Sequence, residues 1–180
     1  MCGRYSLVDV ADLASRFGAK WVSENLSLPR FNIAPTQFAP IIWSRNIPCI
    51  EQMRWGLAPE ASKPLRIGNQ IINIRAETVV EKIKSRNSVN LRRCLVIATG
   101  YYEWQQYGNE TVPFYFRLKS GEVFALAGFC DRYESIDSRI MNGFTIVTTE
   151  ANDLAKQVHR RMPVILSRED EQRWRRRRRR

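Results

Sequence analysis

The residue with the greatest reactive potential in this chain is Cys2. Removal of Met1, which a small second side chain permits, converts it into an N-terminal 1,2-aminothiol. An α-amine with a reference pKa of about 7.7 to 8.0 is partly neutral at pH 7, whereas a lysine at about 10.4 is almost wholly protonated, so a terminal amine attacks an aldehyde without special tuning. The adjacent thiol then closes a five-membered thiazolidine ring. An internal cysteine cannot follow this route because its nitrogen is an amide. Cys2 also fits an inert alternative, a small buried residue at a chain start.

Other segments offer groups that assist such chemistry. Glu103 lies in Gly100-Tyr101-Tyr102-Glu103-Trp104, where aromatic neighbours can desolvate the carboxylate towards a pKa useful for proton transfer. The only histidine, His159, stands in His159-Arg160-Arg161-Met162-Pro163; it fits a proton shuttle near pH 7 or a satisfied structural side chain. In Asn73-Ile74-Arg75-Ala76-Glu77 polar and apolar residues alternate, so Asn73, Arg75 and Glu77 share one face of a strand that extends that far. That face can orient an amine and hold a phosphate, or carry a surface ion pair. Trp55, just before Gly56, suits either a base-stacking platform or the core.

Periodicity predicts more strand than helix. Asp9 followed by Val10, Leu13, Ala14 and Phe17 reads as a capped amphipathic helix stopped at Gly18, with Cys2 to Leu7 extended before it. Strands are predicted within residues 38–55, interrupted by Pro48, and at 69–74, 94–98 and 144–149. A β-hairpin is predicted from 112–118 and 122–129 around Lys119-Ser120-Gly121. Helices are predicted at 76–84, at 150–158 and after Ser167, where Ser167-x-x-Asp170 resembles a capping box. The expectation is a single α+β domain, with a mainly antiparallel, barrel-like sheet and flanking helices.

Composition narrows the partners. The 29 Lys and Arg against 18 Asp and Glu give a net charge of +11, but six of the arginines form the run Arg175 to Arg180. Residues 1–174 are expected to fold and 175–180 to form a solvated basic tail; without the tail the charge is +5. A moderately basic body favours a polyanion without demanding one. The cysteines Cys2, Cys49, Cys94 and Cys130 form no C-x-x-C pair, so neither a zinc site nor a disulfide framework is expected; no cofactor is expected. No stretch approaches the roughly 18 apolar residues of a membrane span and no leader pattern is evident, so the expectation is a reducing cytoplasm; the chain is also expected to be a monomer.

Seven segments taken in order resemble the SOS response-associated peptidase (SRAP) family. They are Met1-Cys2-Gly3-Arg4-Tyr5, Phe31-Asn32-Ile33-Ala34-Pro35-Thr36, Arg54-Trp55-Gly56-Leu57, Asn73-Ile74-Arg75-Ala76-Glu77-Thr78, Gly100-Tyr101-Tyr102-Glu103-Trp104, Thr148-Thr149-Glu150-Ala151-Asn152 and His159-Arg160-Arg161-Met162-Pro163. The resemblance implies that the sheet is a distorted barrel and that Cys2 is a nucleophile in a groove for single-stranded DNA, capturing the aldehyde of an abasic site as a covalent thiazolidine link in the DNA-damage response. It implies that Asn73 positions the amine, Glu103 assists sugar opening and proton transfer, and His159 is a further acid/base. It further implies that Arg4, Arg75 and Arg161 hold phosphates, and that Trp55 and Thr148 contact nucleotides beside the lesion. Association with the nucleoid when DNA is damaged follows from the same resemblance.

The chain departs from the family where Glu60-Ala61-Ser62 replaces a second tryptophan, and where Cys130 stands at a position that is commonly aromatic. The arginine run is not a family feature. Two further readings remain open: a self-processing peptidase in which Cys2 removes the preceding residue, and a non-covalent module for single-stranded or modified DNA. A Schiff base would also permit strand cleavage as a lyase side reaction.

Overall fold

The structure is a computed structural model that describes residues 2–8, 12–22, 28–44, 47–57, 70–79, 81, 92–134 and 140–175, with 132–134, 140 and 141 described in their backbone alone. It is mostly β-sheet in one domain, with few helices, as expected. A four-stranded sheet follows the order β3 (Arg30–Ile33), β1 (Arg4–Leu7), β8 (Gly100–Tyr107), β9 (Glu110–Phe116). The larger sheet is built from β12 (Arg161–Pro163), β11 (Ile140–Glu150), β10 (Phe124–Glu134), β7 (Arg92–Ala98), β4 (Phe38–Ser44), β5 (Pro48–Trp55) and β2 (Lys20–Trp21). β6 (Asn73–Arg75) joins it beside β11, and β13 (Ile165–Leu166) beside β10. A parallel contact, Gly143↔Arg54 and Phe144↔Trp55, brings β11 back to β5. The sheet is therefore twisted and partly ring-like without closing into a barrel.

Burial explains why β7 reads as a continuous apolar run. It lies between β4 and β10, and Cys94 to Ala98 are all buried, the pattern of a strand covered on both faces. After Ala98 the chain crosses from the large sheet to the small one. Thr99 N–H donates to the Ser6 carbonyl at 2.8 Å, and the Thr99 hydroxyl takes the Val8 N–H at 3.1 Å. Gly100 opens β8 beneath the Tyr115 ring, where a Cβ would lie 2.3 Å from the ring carbon, so only glycine fits. This crossing sets Glu103 three residues later.

The short helices pin the periphery. α1 (Leu13–Phe17) is capped by Asp12, whose side chain accepts the Ser15 N–H, and stops at Gly18 with φ 57°. The cap is therefore Asp12 rather than Asp9; residues 9–11 lie outside the described residues. α2 (Asp153–Lys156) is shorter than predicted at both ends, opening at its Asn152 cap and closing at Gln157. α3 (Arg168–Arg175) begins after Ser167, whose hydroxyl accepts the Asp170 N–H as predicted. Arg175 is the last residue of α3, and 176–180 lie outside the described residues. Trp174 docks α3, donating to the carbonyls of Cys94 and Gly128 at 3.1 and 3.3 Å. Arg16 of α1 forks onto Glu171 of α3 at 2.9 and 2.8 Å.

The structure overturns the predicted hairpin. The Lys119-Ser120-Gly121 turn exists, with Gly121 N–H on the Leu118 carbonyl at 3.0 Å. Its arms diverge: β9 pairs β8 around Gly108, and β10 pairs β7 in the other sheet. The turn was a local signal, whereas the pairing partner was chosen by distant strands. The segment predicted as helix 76–84 opens with a 3-10 turn, Ala76–Thr78, and residues 82–84 fall outside the described residues, as do Asn69 and 60–62.

Candidate active site

β1 positions Cys2. Its antiparallel register with β8, Arg4↔Tyr102 and Ser6↔Gly100, runs the N-terminus alongside Glu103. Cys2 is fully buried and Glu103 is 3% exposed. Burial pushes the Cys2 thiol well above its ordinary pKa, and the neighbouring Glu103 carboxylate pushes it further, so the sulfur is held as a neutral S–H. The nearest polar clamp is Asn73, whose Nδ2 donates to the Cys2 carbonyl at 2.8 Å. Asn73 Oδ1 is buried and has no hydrogen-bond partner among the described residues. A buried unsatisfied acceptor costs about 1–3 kcal/mol, so this atom is poised for a donor.

Asn73 reaches this position because β6 lies parallel to β11, with Ile146↔Asn73 and Thr148↔Arg75 in register. Ile74, alternating with it, faces a separate apolar cluster with Ala127, Phe129 and Val147. The strand ends at Arg75, so Glu77 sits on the following turn instead of sharing the strand face. Arg75 is exposed.

Beyond β6 a second group assembles. Arg161 of β12 donates through Nη1 and Nη2 to the two Glu77 oxygens at 2.9 and 3.0 Å. Nη2 also reaches the Thr148 carbonyl at 2.8 Å and its hydroxyl at 3.3 Å. The guanidinium beside Glu77 holds that carboxyl down to about 2. His159 joins here: its Nδ1 lies 2.9 Å from the Arg161 backbone nitrogen and 3.1 Å from the Arg161 carbonyl oxygen. Arg4 stands on β1 with Nη1 on Asn32 Oδ1 at 3.1 Å.

Trp55 and Thr148, both expected beside the nucleotides, are buried in this structure. Trp55 is 0% exposed, with its Nε1 on the Ile72 carbonyl at 2.9 Å and its ring edge-on to Tyr5 at 5.2 Å and stacked on Phe144 at 6.2 Å. In this packing it offers no open face to a base. Thr148 is equally buried and spends its oxygens on Arg161. Sequence reasoning missed Tyr5 and Tyr101, buried phenols whose pKa values are raised chiefly by burial and also by the nearby Cys2. Tyr5 Oη is buried without a hydrogen-bond partner among the described residues. It also missed Thr36, whose φ of 74° places a non-glycine residue in the left-handed region at the turn after β3. Both tyrosines lie inside the quoted segments, which was the available signal. Among the described residues no group of three or more metal-ligating side chains gathers, and no helix is long and apolar enough to cross a membrane.

Fold and site together define a single-domain β-sheet protein with a cysteine buried near its N-terminus, its backbone carbonyl clamped by an asparagine and its thiol flanked by a carboxylate. The chain belongs to the SRAP family, described as SOS response associated peptidase, which matches residues 1–180. It is 33% identical over 178 residues to the abasic site processing protein YobE of Bacillus subtilis, a match covering 97% of this chain and 81% of that protein. The abasic site processing protein YoqW of Bacillus subtilis is 35% identical over 178 residues, covering 97% and 80%. A crystal structure of a protein from Bacteroides thetaiotaomicron superposes with a TM-score of 0.81 at 26% identity, covering 97% of this chain and 81% of that one.

Proposed function

We propose that this chain processes abasic sites in DNA, capturing the lesion's aldehyde on the amine and thiol of Cys2 once Met1 is removed. The observation that carries the reading is the Asn73 clamp: one end of the amide holds the Cys2 carbonyl while the other presents a buried, unsatisfied acceptor. That acceptor suits an N–H of a terminal amine, which would be oriented for attack. The relatives' names supply the substrate class.

In this reading the first bond forms from nitrogen, because a free α-amine is partly neutral near pH 7 and attacks an aldehyde directly. The amine adds to the aldehyde carbon of the opened sugar, and loss of water gives a Schiff base. The S–H then adds across C=N, forming the S–C bond and returning its proton to nitrogen. One water is released overall. Glu103, buried beside Cys2, transfers protons during sugar opening and dehydration; His159 serves as a further acid/base near Arg161. Arg4, Arg75 and Arg161 hold phosphates. Full burial of Cys2 suits a lesion without a base, since an open sugar is slimmer than an intact nucleotide. Single-stranded DNA is favoured because splaying the lesion from an intact duplex costs a few kcal/mol. Strand cleavage by β-elimination competes only when ring closure is slow, and self-removal of Met1 by Cys2 is compatible with the same site.

The test is intact-mass analysis after incubation with single-stranded DNA carrying one abasic site. The expected product is protein lacking Met1 plus DNA less one water, mapped to the N-terminal peptide. Cys2→Ser is expected to give only a borohydride-trappable adduct, and Glu103→Gln to slow adduct formation by about 100-fold or more. Met1 retained in the cross-linked protein, or a heat-stable adduct from Cys2→Ser, refutes the mechanism.

A further inference from the structure

Arg161 is held on two sides by different kinds of partner. On its inner side Nη2 is tied to the buried Thr148 through both a carbonyl and a hydroxyl oxygen. On its outer side the two-pronged fork is filled by Glu77, whose side chain is 46% exposed while that of Arg161 is only 11% exposed. The inner contacts belong to a β-strand and do not depend on Glu77; the outer one comes from a single 3-10 turn. Arg161 Nε is a further buried donor with no partner among the described residues. The guanidinium is thus a fixed cation with donor capacity to spare, and its anion is the replaceable part.

From this we infer that Glu77 is a placeholder: it occupies the Arg161 fork in the free protein and is displaced by a DNA phosphate, so that it sets how strong an anion must be to enter the site. The inference rests on the DNA-binding reading above. A carboxylate and a phosphodiester each offer two oxygens and one negative charge to the same planar fork, so the exchange conserves charge and bond count at Arg161. Without Glu77 the poorly solvated guanidinium would stand uncompensated in the free protein. With it, the cation is satisfied until an anion arrives that is anchored elsewhere, as a phosphate on a polynucleotide held by Arg4 or Arg75 is. The displaced carboxylate is already at the surface and rehydrates readily. Because Glu77 is held down to about 2, it stays ionised at working pH, and the gate works by competition instead of by protonation.

The test uses the whole chain and a fluorescently labelled oligothymidylate without any lesion, followed by anisotropy across a salt series. Glu77→Gln is expected to tighten binding about two- to fivefold, the equivalent of a surface ion pair that no longer has to be broken. The slope of log K against log salt is expected to steepen by up to about 0.7, one phosphate contact on a single strand. The same substitution made on Arg161→Ala is expected to change neither quantity. Thermal unfolding confirms that each variant is folded, and Glu77→Ala replaces Glu77→Gln if the latter folds poorly. Weaker or unchanged binding by folded Glu77→Gln overturns the inference, because a merely structural pair would give that result. Equal tightening in the Arg161→Ala background also overturns it, by revealing a general charge effect. If the wild-type chain ignores the oligonucleotide, the DNA-binding reading falls too; binding that is indifferent to Glu77 removes the inference alone.

Discussion

Trp55 separates a structural from a nucleotide-contacting role, and the structure sets the size of the effect. Its side chain is fully buried, so truncation to alanine would cost about 3–5 kcal/mol through lost burial and the cavity left behind. The ring pairs with Tyr5 and Phe144 add about 0.5–1.5 kcal/mol each. That is a large fraction of the about 5–15 kcal/mol that ordinarily holds a domain together, enough to unfold one at the lower end, so any loss of DNA binding would be uninformative. Trp55→Phe is the useful variant. It keeps a ring between Tyr5 and Phe144 but loses the Nε1 donor to the Ile72 carbonyl. That carbonyl also accepts the Ile146 N–H at 3.0 Å, so it is not stranded. The expected cost is about 1–3 kcal/mol for the lost bond and smaller ring, which lowers Tm by about 2–4 °C per kcal/mol. Affinity for single-stranded DNA, measured well below the new Tm, should stay within about twofold of wild type. A Trp55→Phe protein of unchanged stability whose DNA affinity falls tenfold or more would refute the argument, because it would mean the ring leaves the core to meet a base.

Two further outcomes are expected from the charged pairs. Arg16→Ala should destabilise the protein more than Glu171→Ala, by about 3–5 kcal/mol for the first, because it strands a carboxylate whose side chain is 6% exposed while Arg16 at 22% can reach water; urea midpoints in the reverse order would refute this. The Glu77–Arg161 pair should contribute stability fully above the ordinary carboxylate value, with the contribution lost as pH falls towards about 2, since the folded pKa is depressed. Exposure and solvent screening limit it to about 1 kcal/mol at most, so the Tm gap between wild type and Glu77→Gln should be a few degrees at pH 7 and close on acidification; a gap that persists at pH 2 contradicts the assignment.

The reactive capacity of Cys2 is determined by sequence alone, because the pKa of an α-amine and the ring size of an aminothiol adduct are properties of one residue. The same holds for signals that act within a few residues: the Ser167–Asp170 cap, the Gly18 stop, the break at Pro48 and the apolar run of β7 all appear where the chain spells them. The mostly antiparallel β character followed from those runs. What the sequence could not decide was which distant segments meet. The Lys119-Ser120-Gly121 turn was legible, but its arms joined different sheets because β8 and β7 were the better partners. Trp55 has the composition of a platform and the position of a core residue, and burial depends on Tyr5, Ile72 and Phe144 arriving from elsewhere. Asn73 and Arg161 were recognisable as polar residues in ordered motifs. Only the parallel seating of β6 on β11 set one amide against Cys2 and gave Glu77 to the Arg161 fork, since hydrogen-bond partners separated by 71 and 84 residues are chosen by sheet register and not by local pattern.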